Sequence, residues 1–354
     1  MTTILGVPAT ANPPFYKTQR EVYDFYVSHF TLTPEEQALY HKLLIEGPIQ
    51  GRYFGLDCAE DASETNPDKL NLRFAKYARL TGAAAARQAM QAAGLGPDGL
   101  GGVIVNTCTG YLCPGLSSYL VEDLGLPASV KTLDIAGMGC GGALPNIDTA
   151  SALLAANGGR PWLSVAVEAC SATMFMGADP ALIVSNSIFG DGAAAVILQD
   201  EAKVANPGGL MRILGSTSSI HPKYREQLRY RQEGGRLRNV LTTRVPVIGA
   251  KLAGEALESL LAQHRIARQD IAWWAVHAGG TAVLDQVGRD LGLAADDLQY
   301  SLNVFRTYGN MSSPSVLFAL KQIMEQGKPK PGERGVLLSF GAGFSAFAML
   351  GEFL

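Results

Sequence analysis

Asp134-Ile135-Ala136-Gly137-Met138-Gly139-Cys140-Gly141-Gly142-Ala143 decides how this chain folds and what chemistry it can do. A strand is expected to end near Asp134, and a helix to start at or just after Cys140. Glycines on both sides of the cysteine let the backbone turn sharply and leave room for a substrate. A helix N-terminus carries partial positive charge, which favours thiolate over thiol and suits a nucleophile. Two other readings compete. A cysteine in a tight turn is often an inert buried thiol. Gly137-x-Gly139-x-x-Gly142 also fits the dinucleotide fingerprint, with Glu168 at the end of the next strand as a ribose-binding carboxylate.

Short apolar runs recur on either side of this stretch: Gly102 to Asn106, Leu163 to Val167, Ala193 to Leu198, Ile271 to His277 and Gly335 to Phe340. Helical segments separate them. Residues 70–94 read as a helix that stops at Gly94. Thr33-Pro34-Glu35-Glu36 supplies a cap, a proline at the first helical position and acids in the first turn. Residues 1–60 otherwise read as an irregular lead-in followed by helix. The alternation predicts an α/β fold with a buried sheet. The chain also repeats itself. Phe189-Gly-Asp-Gly-Ala-Ala-Ala-Val returns in outline as Phe340-Gly-Ala-Gly-Phe-Ser-Ala-Phe. Gly110 precedes Cys140 by 30 residues, as Gly280 precedes Asn310. Two related halves follow, 1–205 and 206–354, with Cys140 and Asn310 at equivalent helix starts.

The repeat gives meaning to two further motifs. Val276-His277-Ala278-Gly279-Gly280 puts a histidine at the end of an apolar strand, at the sheet edge where α/β active sites form. Thr307-Tyr308-Gly309-Asn310-Met311-Ser312-Ser313-Pro314 offers an asparagine that is either a helix cap or an amide donor aimed at an oxyanion. Its match to Cys140 favours the donor. A dinucleotide cradle would give Cys140 no task and would leave this C-terminal half unexplained. His29, His41, His221 and His264 lack such a setting. No histidine pair has ligand spacing, so a metal is not expected.

The 354 residues are 47% hydrophobic and 17% charged, with a formal charge of −3. That balance is ordinary for a globular enzyme and offers no bulk basic surface for nucleic acid. Five cysteines with no C-x-x-C pair argue against a disulfide framework and fit a reduced, cytoplasmic protein. No secretory signal or long apolar run is present, so stable membrane insertion is not expected.

On these motifs the chain resembles the chalcone synthase-like, or type III polyketide synthase, family of the thiolase-like superfamily. The resemblance spans roughly residues 30–354 and rests on GMGCGGALP around Cys140, FGDGAAA at Phe189, HAGGTAVLDQV at His277, YGNMSS at Asn310 and the closing Ser339-Phe340-Gly341-Ala342-Gly343. It implies a thiolase-like fold of two related αβαβα halves in a five-layered core, working as a homodimer. It implies coenzyme A thioesters as substrates and no resident cofactor. An acyl-CoA starter is held on Cys140, malonyl-CoA is condensed onto it with loss of carbon dioxide, and the chain cyclises to a resorcinol, pyrone or related aromatic. By motif, Cys140, His277 and Asn310 form the catalytic triad, and Phe189 stands where the CoA tunnel meets the cavity. Cys108, Thr109, Cys170, Thr173 and Ser312 match cavity-lining positions. Asn239 falls where plant members have a second gating phenylalanine. Lys42 and Ala282 fall at CoA-contacting positions, although the other basic residues expected around Lys42 are absent. The run from Cys108 to Gly115 is more similar to bacterial alkylresorcinol and alkylpyrone synthases. Small residues at Cys170 and Ala172, with Asn239 at the gate, would leave room for a long or bulky starter. The nearest alternative is a ketoacyl-acyl carrier protein synthase III, disfavoured by the want of a basic carrier-protein patch. A nicotinamide oxidoreductase is the distant one.

Overall fold

The computed structural model describes residues 1–354. Ten strands form one mixed sheet. Its order is Ile271–Val276, Arg334–Gly341, Ser345–Phe353, Met211–Ile220, Thr3–Leu5, Gly192–Asp200, Trp162–Glu168, Gly102–Thr107 and Lys131–Ala136, with Ala9–Ala11 also paired to Gly192–Asp200. Trp162–Glu168 is buried along its whole length, which is why it reads as an unbroken apolar run.

Helices cover both faces. Helix Pro67–Ala92 packs Phe74, Ala78 and Ala85 into one cluster with Val103, Val105, Val165 and Ile197. Helices Val245–His264 and Thr281–Leu291 cover the C-terminal strands through Leu257, Leu284 and Val287. Between the two sets of strands lie helices Ala143–Ala156 and Ser315–Gln322, which share a central apolar cluster. The layers therefore run helix, strand, helix, strand, helix, the thiolase-like α/β arrangement. The two central helices are the ones that follow Cys140 and Asn310, as the internal repeat requires.

The irregular lead-in is a correction. Thr3–Leu5 is buried and pairs with Gly192–Asp200 on one side and Met211–Ile220 on the other, so the first residues of the chain join the two sets of strands. Three-residue strands are too short to show a periodicity. The helix start at Thr33 is present as a full capping box with Glu36. No helix is long and apolar enough to cross a membrane.

Because Leu5 is wholly buried at this join, Leu5→Ala is expected to cost about 2–5 kcal/mol in urea unfolding. Leu72→Ala, at a position 67% exposed, is expected to stay within about 0.5 kcal/mol.

Candidate active site

Cys140 sits in a single 3-10 turn, Gly139–Gly141, that runs into helix Ala143–Ala156. Gly139 has φ +57°, a region where an L side chain is strained. A Cβ there would lie 2.7 Å from Ala342 N, and one on Gly141 2.7 Å from Phe347 Cε2. The glycines admit the closing loop of the C-terminal half rather than a pyrophosphate. Glu168 is likewise no ribose ligand. It is buried, and its carboxylate accepts from Cys108 N at 2.9 Å, Thr109 Oγ1 at 2.9 Å and Ser313 Oγ at 2.8 Å. The dinucleotide reading fails on both residues.

His277 follows strand Ile271–Val276, its N–H bonded to Leu338 O at 2.8 Å and its ring edge-on to Phe340. Asn310 follows helix Gln299–Tyr308 and Gly309. Its Nδ2 donates to Gly279 O at 3.1 Å, and its Oδ1 accepts from Ser312 N at 2.8 Å. A Cβ on Gly279 would lie 3.1 Å from His277 Nε2, so the imidazole and the amide converge on one glycine. Ser312 closes the series by donating its hydroxyl to Cys140 Sγ at 3.4 Å. Phe189 joins from the other half. Asn310 N donates to Ile188 O at 2.8 Å, and Gly190 N to Asn310 O at 3.0 Å, on either side of Phe189.

The electrostatics depart from the helix-start expectation. Burial pushes the Cys140 thiol up to about 12; the Ser312 hydrogen bond opposes this and the Glu168 charge adds to it. Burial also pulls His277 down to about 4, and its Nδ1 has no partner. Each charge alone is penalised. A proton passed from thiol to imidazole would change no net charge. No group of three His, Cys, Asp or Glu side chains could hold a metal.

Comparison with known proteins agrees with this geometry. The family model described as "FAE1/Type III polyketide synthase-like protein" matches residues 61–213, and "3-Oxoacyl-[acyl-carrier-protein (ACP)] synthase III C terminal" matches residues 261–353. The 3,5-dihydroxyphenylacetyl-CoA synthase of Streptomyces toyocaensis is 35% identical over 290 residues, covering 79% of this chain and 73% of the relative. The crystal structure of 1,3,6,8-tetrahydroxynaphthalene synthase from Streptomyces coelicolor A3(2), a bacterial type III polyketide synthase, superposes with TM-score 0.90 at 26% identity, covering 99% of each chain. The chain belongs to the type III polyketide synthase family. It is thus an acyltransferase of the malonyl-CoA-condensing class. The 1,3,6,8-tetrahydroxynaphthalene synthase of Streptomyces peucetius subsp. caesius is 28% identical over 97% of this chain and 91% of its own length.

Within this polyketide synthase a cavity of about 650 Å³ opens beside the Cys140 turn, lined by Gly139, Ala342, Cys108, Thr109 and Ala172 among others. Cys170 is fully buried, and Thr173 Oγ1 donates to its carbonyl at 2.9 Å. Asn239 is off the cavity wall. It is buried, with Nδ2 bonded to Ser185 Oγ at 3.1 Å, and Leu237 of the same strand lines the cavity instead. Lys42 and Ala282 are exposed and off that wall. The helix of Lys42, Pro34–Leu44, gathers no cationic cluster; its His41 pairs with Glu46 at 3.2 Å. Tyr230 is the residue the sequence reading missed. It lines the cavity, where burial raises its phenol pKa and Cys170, Cys108 and Cys140 lie close by. It belongs to a two-stranded hairpin, Leu228–Glu233 and Arg236–Leu241, whose Gly234-Gly235 turn is a legible signal.

A His277→Ala variant tests whether the imidazole takes the Cys140 proton. Iodoacetamide labelling of Cys140 at pH 7 is expected to slow by about 10²-fold or more, read by peptide mass spectrometry. Unfolding gives an independent check. Unfolded histidine binds a proton near pH 6.5, and His277 only near pH 4 when folded. Between these values the unfolded chain holds more protons. Stability is therefore fully present above pH 6.5 and lost as pH falls toward 4, by about 3 kcal/mol. A His277→Gln variant should lack this portion of the acid sensitivity.

Proposed function

We propose that Cys140 carries the acyl chain, that His277 serves its loading, and that His277 and Asn310 together serve the decarboxylation of malonyl-CoA. The observation that carries this is the run of contacts from His277 and Asn310 at Gly279, through Ser312, to the Cys140 sulfur.

When Cys140 attacks an acyl-CoA, its thiol proton passes to His277 Nε2 and stays there, CoA leaves as a thiolate that takes a proton from water, and the acyl group remains on Cys140. Malonyl-CoA then places its thioester oxygen against His277 Nε2 and the Asn310 N–H not held by Gly279 O. Carbon dioxide leaves, and the electron pair it releases forms an enolate whose oxygen these donors stabilise as charge develops. The enolate carbon attacks the acyl-Cys140 thioester. A carbon–carbon bond forms, the Cys140 sulfur leaves, and the lengthened chain returns to Cys140 for the next cycle before cyclisation. CoA thioesters are the substrates, and no resident cofactor is needed.

A compact starter and a small aromatic product fit better than a fatty starter. The specific support is Tyr230 in the cavity, Asn239 tied to Ser185 rather than open as a gate, and relatives named for dihydroxyphenylacetyl and tetrahydroxynaphthalene products. Lys131–Ala136 is an exposed edge strand carrying Leu133 at the surface. Edges of this kind are normally covered, which supports a homodimer closed across it. The protein is read as a cytoplasmic enzyme.

Asn310→Ala is expected to lower malonyl-CoA decarboxylation by roughly 10²–10³-fold, measured as carbon dioxide release; an unchanged rate would remove Asn310 from the chemistry. Across a panel from acetyl-CoA and malonyl-CoA to palmitoyl-CoA, product is expected from the short members. Preferential turnover of palmitoyl-CoA would overturn the compact-starter reading.

A further inference from the structure

We infer that Arg52 is a positioning residue that holds Asn310 and Phe189 in register for decarboxylation. This rests on the role proposed above for Asn310. Arg52, on strand Gly51–Phe54, is completely buried, and none of its hydrogen bonds goes to a carboxylate. Nε donates to Gln19 Oε1 at 2.8 Å, and Nη1 to Asn186 O at 2.8 Å and Phe189 O at 2.6 Å. Asp191, the carboxylate whose charge reaches it, is bonded instead to Ser171 and to Gly55 N. Burial pulls the guanidinium down to about 10.

A buried cation without a bonded counter-ion is costly. Here the end of helix Pro180–Ile188 offsets the cost, because its last carbonyls lack helical partners and its dipole favours a cation. Nη2 has no acceptor. The rest of the side chain lies against the catalytic loop. A Cβ on Gly309 would come 2.9 Å from Arg52 Cδ, and one on Gly190 3.4 Å from Arg52 Cβ. Gly309 precedes Asn310 and Gly190 follows Phe189, the two residues joined by the main-chain crossing. The guanidinium thus fastens Phe189 from below while the stem supports the Asn310 backbone. The Cys140 turn is held separately, by the closing loop at Ala342. Loosening Arg52 should move the amide donor and leave the nucleophile in place.

The test uses Arg52→Lys and Arg52→Met in the full chain, with Gln19→Leu, which removes the Nε acceptor, as the milder variant should both fail to fold. Acyl loading of Cys140 from acetyl-CoA is followed by intact mass, and decarboxylation by carbon dioxide release from malonyl-CoA. Decarboxylation is expected to fall by about 10-fold or more in kcat, with loading changed by less than about 3-fold. Combined with Asn310→Ala, an Arg52 substitution should add little further loss, because the two act on one step through one group. Loading and decarboxylation falling together, or losses that multiply in the double variant, would show a merely structural role and overturn the inference. Intact decarboxylation in Asn310→Ala alone would sink it at its base. A severe loss in Asn310→Ala beside normal Arg52 variants would sink only the inference.

Discussion

Cys140 and Asn310 come from different halves of the chain, and no local sequence holds them together. Two backbone contacts do. At one, Gly139 lets the Cys140 turn meet Ala342 of the closing loop. At the other, Asn310 and Phe189 exchange main-chain hydrogen bonds through Ile188 and Gly190. Both are close backbone approaches that a side chain would block. The buried strands and the two central helices bring these loops to one place, and the loops place the chemistry.

Burial sets the chemistry that this place can support. A thiolate alone or an imidazolium alone is disfavoured among such apolar neighbours, as the directions at Cys140 and His277 show. A proton shuttled between them, or a charge that forms transiently on a substrate oxygen facing preset N–H donors, is not penalised in the same way. The same exclusion of water would shield a reactive polyketide intermediate from side reactions. Glu168 shows the complementary solution: a buried carboxylate surrounded by donors from Cys108, Thr109 and Ser313.

Much of this was legible in the sequence. Trp162–Glu168 and Gly192–Asp200 announce themselves because strands buried on both faces have no polar alternation to hide them. The glycine-marked turns that hold Cys140, His277 and Asn310 were legible, and those of Cys140 and Asn310 recur at one spacing. Other features were not. Thr3–Leu5 is too short to carry a pattern, yet it joins both sets of strands. No pattern in the sequence marks Arg52; only the fold puts it beneath a helix end and beside the Asn310 loop. Asn239 and Tyr230 lie on one hairpin, directly opposite each other in register. Which of the two meets the cavity depends on how that hairpin is seated, which no local pattern specifies. The negative charge balance of the chain also says nothing about Lys42, whose surroundings became clear only when the helix was placed.

The central claim is that the whole chain-building sequence runs on the Cys140 sulfur, although two other thiols, Cys108 and Cys170, lie close enough to interact electrostatically with it. Acid-quenching the enzyme during turnover of malonyl-CoA and mapping thioester-bearing peptides by mass spectrometry tests this most directly. A ladder of ketide adducts confined to the Cys140 peptide is the expected result. Adducts carried on the Cys108 or Cys170 peptide, with Cys140 unmodified, would contradict it.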